Sequence, residues 1–144
     1  MSDPLYAKDL LRLAANAIGA GRLTPCDAEG SAHNPTCGDR VSVTLRLDQT
    51  GHITDMAHDT KACVLAQASA SILGAHLSGA DEAAVQSLRT QVSAMLREGG
   101  TPDAPFTEYS VLAGAATFRN RHSCVLLPID AVLDAFAQPE KPPL

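Results

Sequence analysis

The sequence predicts an α+β fold in which a small antiparallel sheet packs against several helices. Three observations predict it. Val41, Val43, Leu45 and Leu47 alternate with Ser42, Thr44 and Arg46, the period of a strand with one buried face. Asp48-Gln49-Thr50-Gly51 then has turn chemistry, so that Ile53 to His58 can return as a second strand. Elsewhere apolar residues recur at helical spacing, most clearly Val85, Leu88, Val92, Met95 and Leu96.

Taken in chain order, Leu5, Leu10, Leu11, Leu13, Ala14, Ala17 and Ile18 predict a first helix that stops at Gly19-Ala20-Gly21. Residues 24–36 hold Pro25, Gly30, Asn34 and Pro35 with little periodicity, and read as a loop delivering Cys37. The hairpin puts Cys37 just before its first strand and Cys63 just after its second, so both thiols reach one end of the sheet. From Cys63 to Leu77 the chain is rich in Ala, Leu and Ile with small serines, a composition for a helix packed closely on the sheet. Cys63 at its start meets the positive end of the helix dipole. Asp81 to Arg97 form a helix ended by Gly99-Gly100 and Pro102, and Phe106 to Leu112 a short one. Val125 to Phe136 form the last helix, with Pro128 placing its regular start after Cys124. Residues 1–138 read as a single domain and 139–144, rich in proline, as a flexible tail.

A chain of 144 residues can bury a core without disulfide support. Tryptophan is absent and aromatics are few, so that core rests on Leu, Val, Ile and Ala. The formal charge of -5 and the lack of Lys/Arg runs argue against a nucleic-acid partner. No stretch approaches a membrane span, Met1-Ser2-Asp3 opens no signal peptide, and the expected location is the cytoplasm. There the four cysteines are expected to be reduced, reactive or metal-bound rather than paired.

Three cysteines and an aspartate are the candidates for chemistry: Cys37 and Asp39 in Asn34-Pro35-Thr36-Cys37-Gly38-Asp39, Cys63, and Cys124 in Arg121-His122-Ser123-Cys124. Three thiolates and one carboxylate would suit zinc or an iron-sulfur cluster, with the single oxygen ligand the most easily displaced. Spacing alone does not establish such a site, because none of these cysteines lies in a CxxC pair. Each also has a plainer reading: Asn-Pro and Gly-Asp are ordinary turn chemistry, and an isolated cysteine is usually a small core residue. Cys26 in Pro25-Cys26-Asp27 reads as a loop residue. His33, His52, His58 and His76 follow no metal-ligand spacing and read as surface or packing residues, while His122, on an extended segment, would point away from Cys124. A cysteine hydrolase would need a Cys/His pair, but no local signature of one is present.

Asn34-Pro35-Thr36-Cys37-Gly38-Asp39-Arg40, Gly51-His52-Ile53-Thr54-Asp55 and Cys63-Val64-Leu65-Ala66-Gln67-Ala68-Ser69-Ala70-Ser71 closely resemble the IscU/SufU family, also called NifU N-terminal-like. The match in order and distance runs from about residue 34 to residue 78 and continues more weakly through Arg121-His122-Ser123-Cys124. The resemblance implies a role in iron-sulfur cluster assembly, with Cys37, Asp39, Cys63 and Cys124 as metal ligands. The long segment between Cys63 and Cys124, and Arg-x-x-Cys without an adjacent His, resemble the SufU branch. That branch implies zinc and acceptance of sulfur by Cys37 from a cysteine desulfurase, a sulfurtransferase role, with Arg121 positioning the partner. Downstream iron-sulfur assembly proteins would follow. The IscU branch implies instead a scaffold holding a [2Fe-2S] cluster on the same residues, and a third reading is a non-catalytic interaction module stabilised by zinc. The chain departs from the family at Thr60-Lys61-Ala62-Cys63, where Gly-x-Gly-Cys is expected, so the backbone before Cys63 is expected to be stiffer.

Overall fold

The structure is a computed structural model that describes residues 8–35 and 38–137. Its centre is the alternating strand, β2 (Asp39–Leu47), flanked by β1 (Ala28–Asn34) and β3 (Ile53–Lys61) in the antiparallel order β1-β2-β3. The turn into β3 is closed by Asp48, whose Oδ1 accepts the backbone N–H groups of Thr50 and His52, both at 2.9 Å. Alternation carries the register: Ala32, Gly30 and Ala28 stand opposite Val41, Val43 and Leu45, and Thr60, His58 and Met56 stand opposite the same three residues on the other side. These residues share the face that looks toward the helices.

β1 corrects the loop expected over residues 24–36. Its composition, Ala-Glu-Gly-Ser-Ala-His-Asn, lacks the β-branched and aromatic residues that mark a strand. What makes it a strand is its neighbour. A Cβ on Gly30 would lie 2.3 Å from the Ala135 nitrogen and 2.5 Å from the Ala131 oxygen, so the glycine lets the last helix sit directly on the strand.

The helices follow the predicted order with shifted ends. α1 (Lys8–Asn16) stops short of the expected Ile18, and the chain then runs beside β3: the His58 N–H donates to the Gly19 carbonyl at 2.9 Å and the Gly21 N–H to the His58 carbonyl at 2.8 Å. Leu5 and the expected tail at 139–144 lie outside the described residues. α2 (Val64–His76) starts at Cys63 as expected, but packs chiefly on α1 and the last helix and less on β3. α3 (Glu82–Glu98) is capped by Asp81, which accepts the Ala84 N–H at 2.9 Å, and buries all five residues of its predicted stripe. The short helix expected at Phe106 is a 3₁₀ segment, Thr107–Thr117, followed by a second, Arg119–Arg121.

α4 (His122–Ala137) begins before Cys124, not after it, and carries Pro128 inside. Pro128, the seventh residue of α4, has no N–H to return to the carbonyl of Cys124, so that one interior helical bond is not made. α4 is the helix laid on β1 and β2. One buried cluster joins Val41, Val43 and Leu45 of the sheet to Leu10 and Leu13 of α1, Ile72 and Leu73 of α2, and Ile129 and Val132 of α4. Among the described residues no helix is long and apolar enough to cross a membrane.

Candidate metal centre

Three elements end at one corner of the sheet. β2 begins there with Asp39, α2 begins there with Cys63 as its N-cap, and the first turn of α4 presents Cys124. One ligand atom each from Asp39, Cys63 and Cys124 lies within 4.8 Å of the others. A tetrahedral site with metal–sulfur bonds of about 2.3 Å has ligand–ligand edges of roughly 3.8 Å, so the observed spacing needs only a small contraction to close on an ion.

Burial gives a second test of fit. Asp39 is 8% exposed and Cys124 2%, while Cys63 is half-buried. The Oδ2 atom of Asp39 is buried and has no hydrogen-bond partner among the described residues. A buried carboxylate oxygen left unpaired is costly, and a cation shared with neighbouring sulfurs would satisfy it. The donor set is chemically apt, because sulfur and carboxylate together suit zinc or iron.

Cys37, the fourth expected ligand, lies outside the described residues. Its flanks do not: the Gly38 N–H donates to the Asn34 carbonyl at 2.8 Å, closing the turn from β1 into β2 beside Asp39. Arg121 ends the 3₁₀ segment that leads into α4, three residues before Cys124. His122 sits on helix, not on an extended segment, and its Nε2 donates to the Ala116 carbonyl at 2.9 Å. It is a neighbour of the site occupied with holding the preceding segment, as its spacing from Cys124 required on either backbone.

Two supports escaped sequence reasoning. The Gln67 side chain donates to the Ala62 carbonyl at 2.9 Å, and the Gln67 backbone N–H donates to the Cys63 carbonyl at 3.0 Å, fixing the approach to Cys63 from both sides. Asn34, opposite Asp39 in the register, donates through Nδ2 to Ser123 Oγ at 3.0 Å, which ties the Asp39 end of the sheet to the Cys124 end of α4. Gln67 stood four residues beyond Cys63, a helical spacing that carried the only signal. Asn34 carried none beyond its turn propensity.

Among the remaining histidines, His58 is structural, and more deeply so than expected. It is buried, donates through Nε2 to the Ile18 carbonyl at 2.8 Å and accepts from Thr60 Oγ1 at 2.9 Å. Burial holds its pKa below the ordinary histidine value, outweighing the opposing effects of the Ile18 carbonyl and Asp59.

A family model described as "NifU-like N terminal domain" matches residues 5–124. The chain belongs to that family. Among curated NifU-like relatives, an "Iron-sulfur cluster assembly scaffold protein IscU" of Streptococcus pyogenes serotype M1 is 31% identical over 72% of this chain. This chain spans only 65% of that relative's length. A "Zinc-dependent sulfurtransferase SufU" of Bacillus subtilis is 30% identical over 75% of the chain and 74% of its own length. Among solved structures, the amino-terminal part of a NifU-like protein from Brucella abortus superposes with a TM-score of 0.87 at 34% identity, covering 94% of each chain. The three-stranded sheet and its helices are therefore those of a NifU-like domain. The corner where Asp39, Cys63 and Cys124 meet is formed by the segments that carry the family motifs.

Proposed function

We propose that this NifU-like protein accepts sulfur from a cysteine desulfurase during iron-sulfur cluster assembly, with zinc held by Cys37, Asp39, Cys63 and Cys124. The observation that carries the reading is the convergence of Asp39, Cys63 and Cys124, together with a buried Asp39 oxygen that has no hydrogen-bond partner among the described residues. The relative named as a zinc-dependent sulfurtransferase supports the choice of zinc and of sulfur transfer.

Zinc bound at these residues would keep the coordinating sulfurs as thiolates. In the transfer step the Cys37 thiolate attacks the outer sulfur of a persulfide on the donor. A new sulfur–sulfur bond forms at Cys37, the donor's sulfur–sulfur bond breaks, and the donor cysteine leaves as a thiolate. The persulfide hydrogen stays with the transferred sulfur, and no external oxidant is required. Asp39 contributes the oxygen ligand, and its tie through the sheet register and Asn34 to α4 keeps it aligned with Cys124. Arg121, just ahead of Cys124, is assigned the positioning of the partner.

Two relatives bear the IscU scaffold name, which supports a second reading in which the same four residues carry a [2Fe-2S] cluster as cargo. Metal and acid-labile sulfide content of anaerobically purified protein, with Cys37→Ala beside it, separates the readings. Near-stoichiometric zinc without sulfide, lost or loosened in the variant while the fold persists, is the expected result. Iron with matching sulfide would replace sulfur acceptance by the scaffold reading. Loss of the fold together with zinc would reduce the site to a structural one.

A further inference from the structure

The outer face of the sheet, opposite the helices, carries a basic row at the same end as the metal centre. His33 stands opposite Arg40, and Arg40 opposite Lys61, so the three side chains lie abreast across β1, β2 and β3. All three are exposed. Arg40 follows Asp39 directly and Lys61 precedes Cys63 by two residues, which puts the row immediately behind two of the site's ligands.

Like charges placed directly opposite each other in a sheet destabilise it. Neither Arg40 nor Lys61 forms a salt bridge among the described residues, in contrast to Arg22 with Glu29, Arg46 with Asp55 and Arg89 with Asp130. Asp59 is the nearest acid on this face, two residues back along β3 and opposite Ser42, one row removed. In a chain of net charge -5, two cations side by side, without salt-bridge partners among the described residues, place positive charge on the exposed face at this corner. That charge orients an incoming acidic surface toward the corner while the remainder of the chain repels it.

We propose that His33, Arg40 and Lys61 form a docking surface for an acidic face of the protein that donates sulfur, steering its persulfide to the adjoining metal centre. The proposal rests on the sulfur-acceptor reading. A protein surface is favoured over a nucleic acid because the row is a single residue deep and the net charge opposes a long polyanion. It also gives a role to Lys61, which takes the variable position of the family's Gly-x-Gly-Cys pattern and here places a charge beside Arg40.

The test is the stimulation of cysteine turnover by a purified cysteine desulfurase from the source organism, titrated with this protein. Wild-type protein should show a half-saturating concentration that rises severalfold between about 50 mM and about 300 mM salt, because exposed charges are screened over that range. Arg40→Glu with Lys61→Glu should raise half-saturation about tenfold at low salt and flatten its salt dependence, with the turnover at saturation, zinc content and melting midpoint unchanged. Arg40→Gln with Lys61→Gln should fall between the two. Stimulation that is indifferent to salt and to charge reversal would overturn the docking row and leave sulfur acceptance standing. A wild-type protein that does not stimulate the desulfurase at any salt would overturn both. If charge reversal instead altered the sedimentation of this protein alone, the row would be an interface between two copies, and the assignment to a donor would fall.

Discussion

The two arms that bring ligands to the metal corner are built in opposite ways. On the Asp39 side the chain turns through Gly38 at a φ of 77°, and a Cβ there would meet nothing within 4 Å among the described residues, so the position is special for its backbone conformation. On the Cys63 side there is no glycine: Lys61 ends β3 in register with Arg40, and Gln67 holds both the Ala62 and Cys63 carbonyls. A ligand approached through glycine can swing with little steric penalty, whereas one at a tethered helix start is placed. The family pattern puts the flexible glycines before Cys63. In this chain the glycine lies on the Asp39 side, at Gly38, and Cys63 is the tethered ligand.

The most forceful way to break this comparison is to move the platform beneath both arms. Gly30→Ala would drive a methyl group into the backbone of Ala131 and Ala135 and separate β1 from α4. A loss of about 3 kcal/mol or more is expected by urea denaturation, at the upper end of overpacking costs. Next, Gly38→Ala should cost about 1–2 kcal/mol from the left-handed backbone alone, since no clash accompanies it. It should also slow metal exchange with a chromophoric chelator.

Replacing Lys61 and Ala62 together by glycine tests the opposite arm. We expect about 1 kcal/mol of lost stability from added freedom in the unfolded chain and faster metal exchange, the reverse of the Gly38→Ala result. If the two arms gave the same exchange rates, the distinction between hinge and anchor would be lost. Gln67→Ala should have a similar but smaller effect, about 1 kcal/mol or less, because the Cys63 carbonyl keeps its bond from the residue 67 backbone.

The smallest effect is that of pH on β3, which leads into the fixed arm. His58 is held neutral by burial with its pKa below the ordinary value, about 6.5. As pH falls below that value the unfolded chain takes up the proton first, so stability declines until the folded pKa is passed and then levels. Urea midpoints from pH 8 to pH 5 should fall more steeply for the wild type than for His58→Gln, and equal slopes would remove His58 as the cause.

Much of the frame was legible before any coordinates. The alternation of Val41 to Leu47, the Asp48 to Gly51 turn and the stripe from Val85 to Leu96 are local signals, and each became the element it announced. β1 was not legible, because Ala28 to Asn34 have no strand-forming composition and acquire their conformation from β2 on one side and α4 above. Pro128 misled for a related reason: proline marks helix starts on average, but packing of α4 against β1 and the preceding 3₁₀ segment carried the helix back to His122. At the site, Cys63 at a helix start could be read from the Ala-rich run behind it, while Cys124 in a helical first turn could not.

By itself the sequence determined the residue types at the corner and the local elements that carry them, because both depend on side-chain chemistry and on periodicities of two or about four residues. Only the tertiary structure decided that Asp39, Cys63 and Cys124 meet, that Asp39 keeps a buried oxygen without a partner among the described residues, and that His33, Arg40 and Lys61 stand abreast. Those facts depend on contacts between residues far apart in the chain. Sheet register and helix packing set such contacts, and no local pattern encodes them.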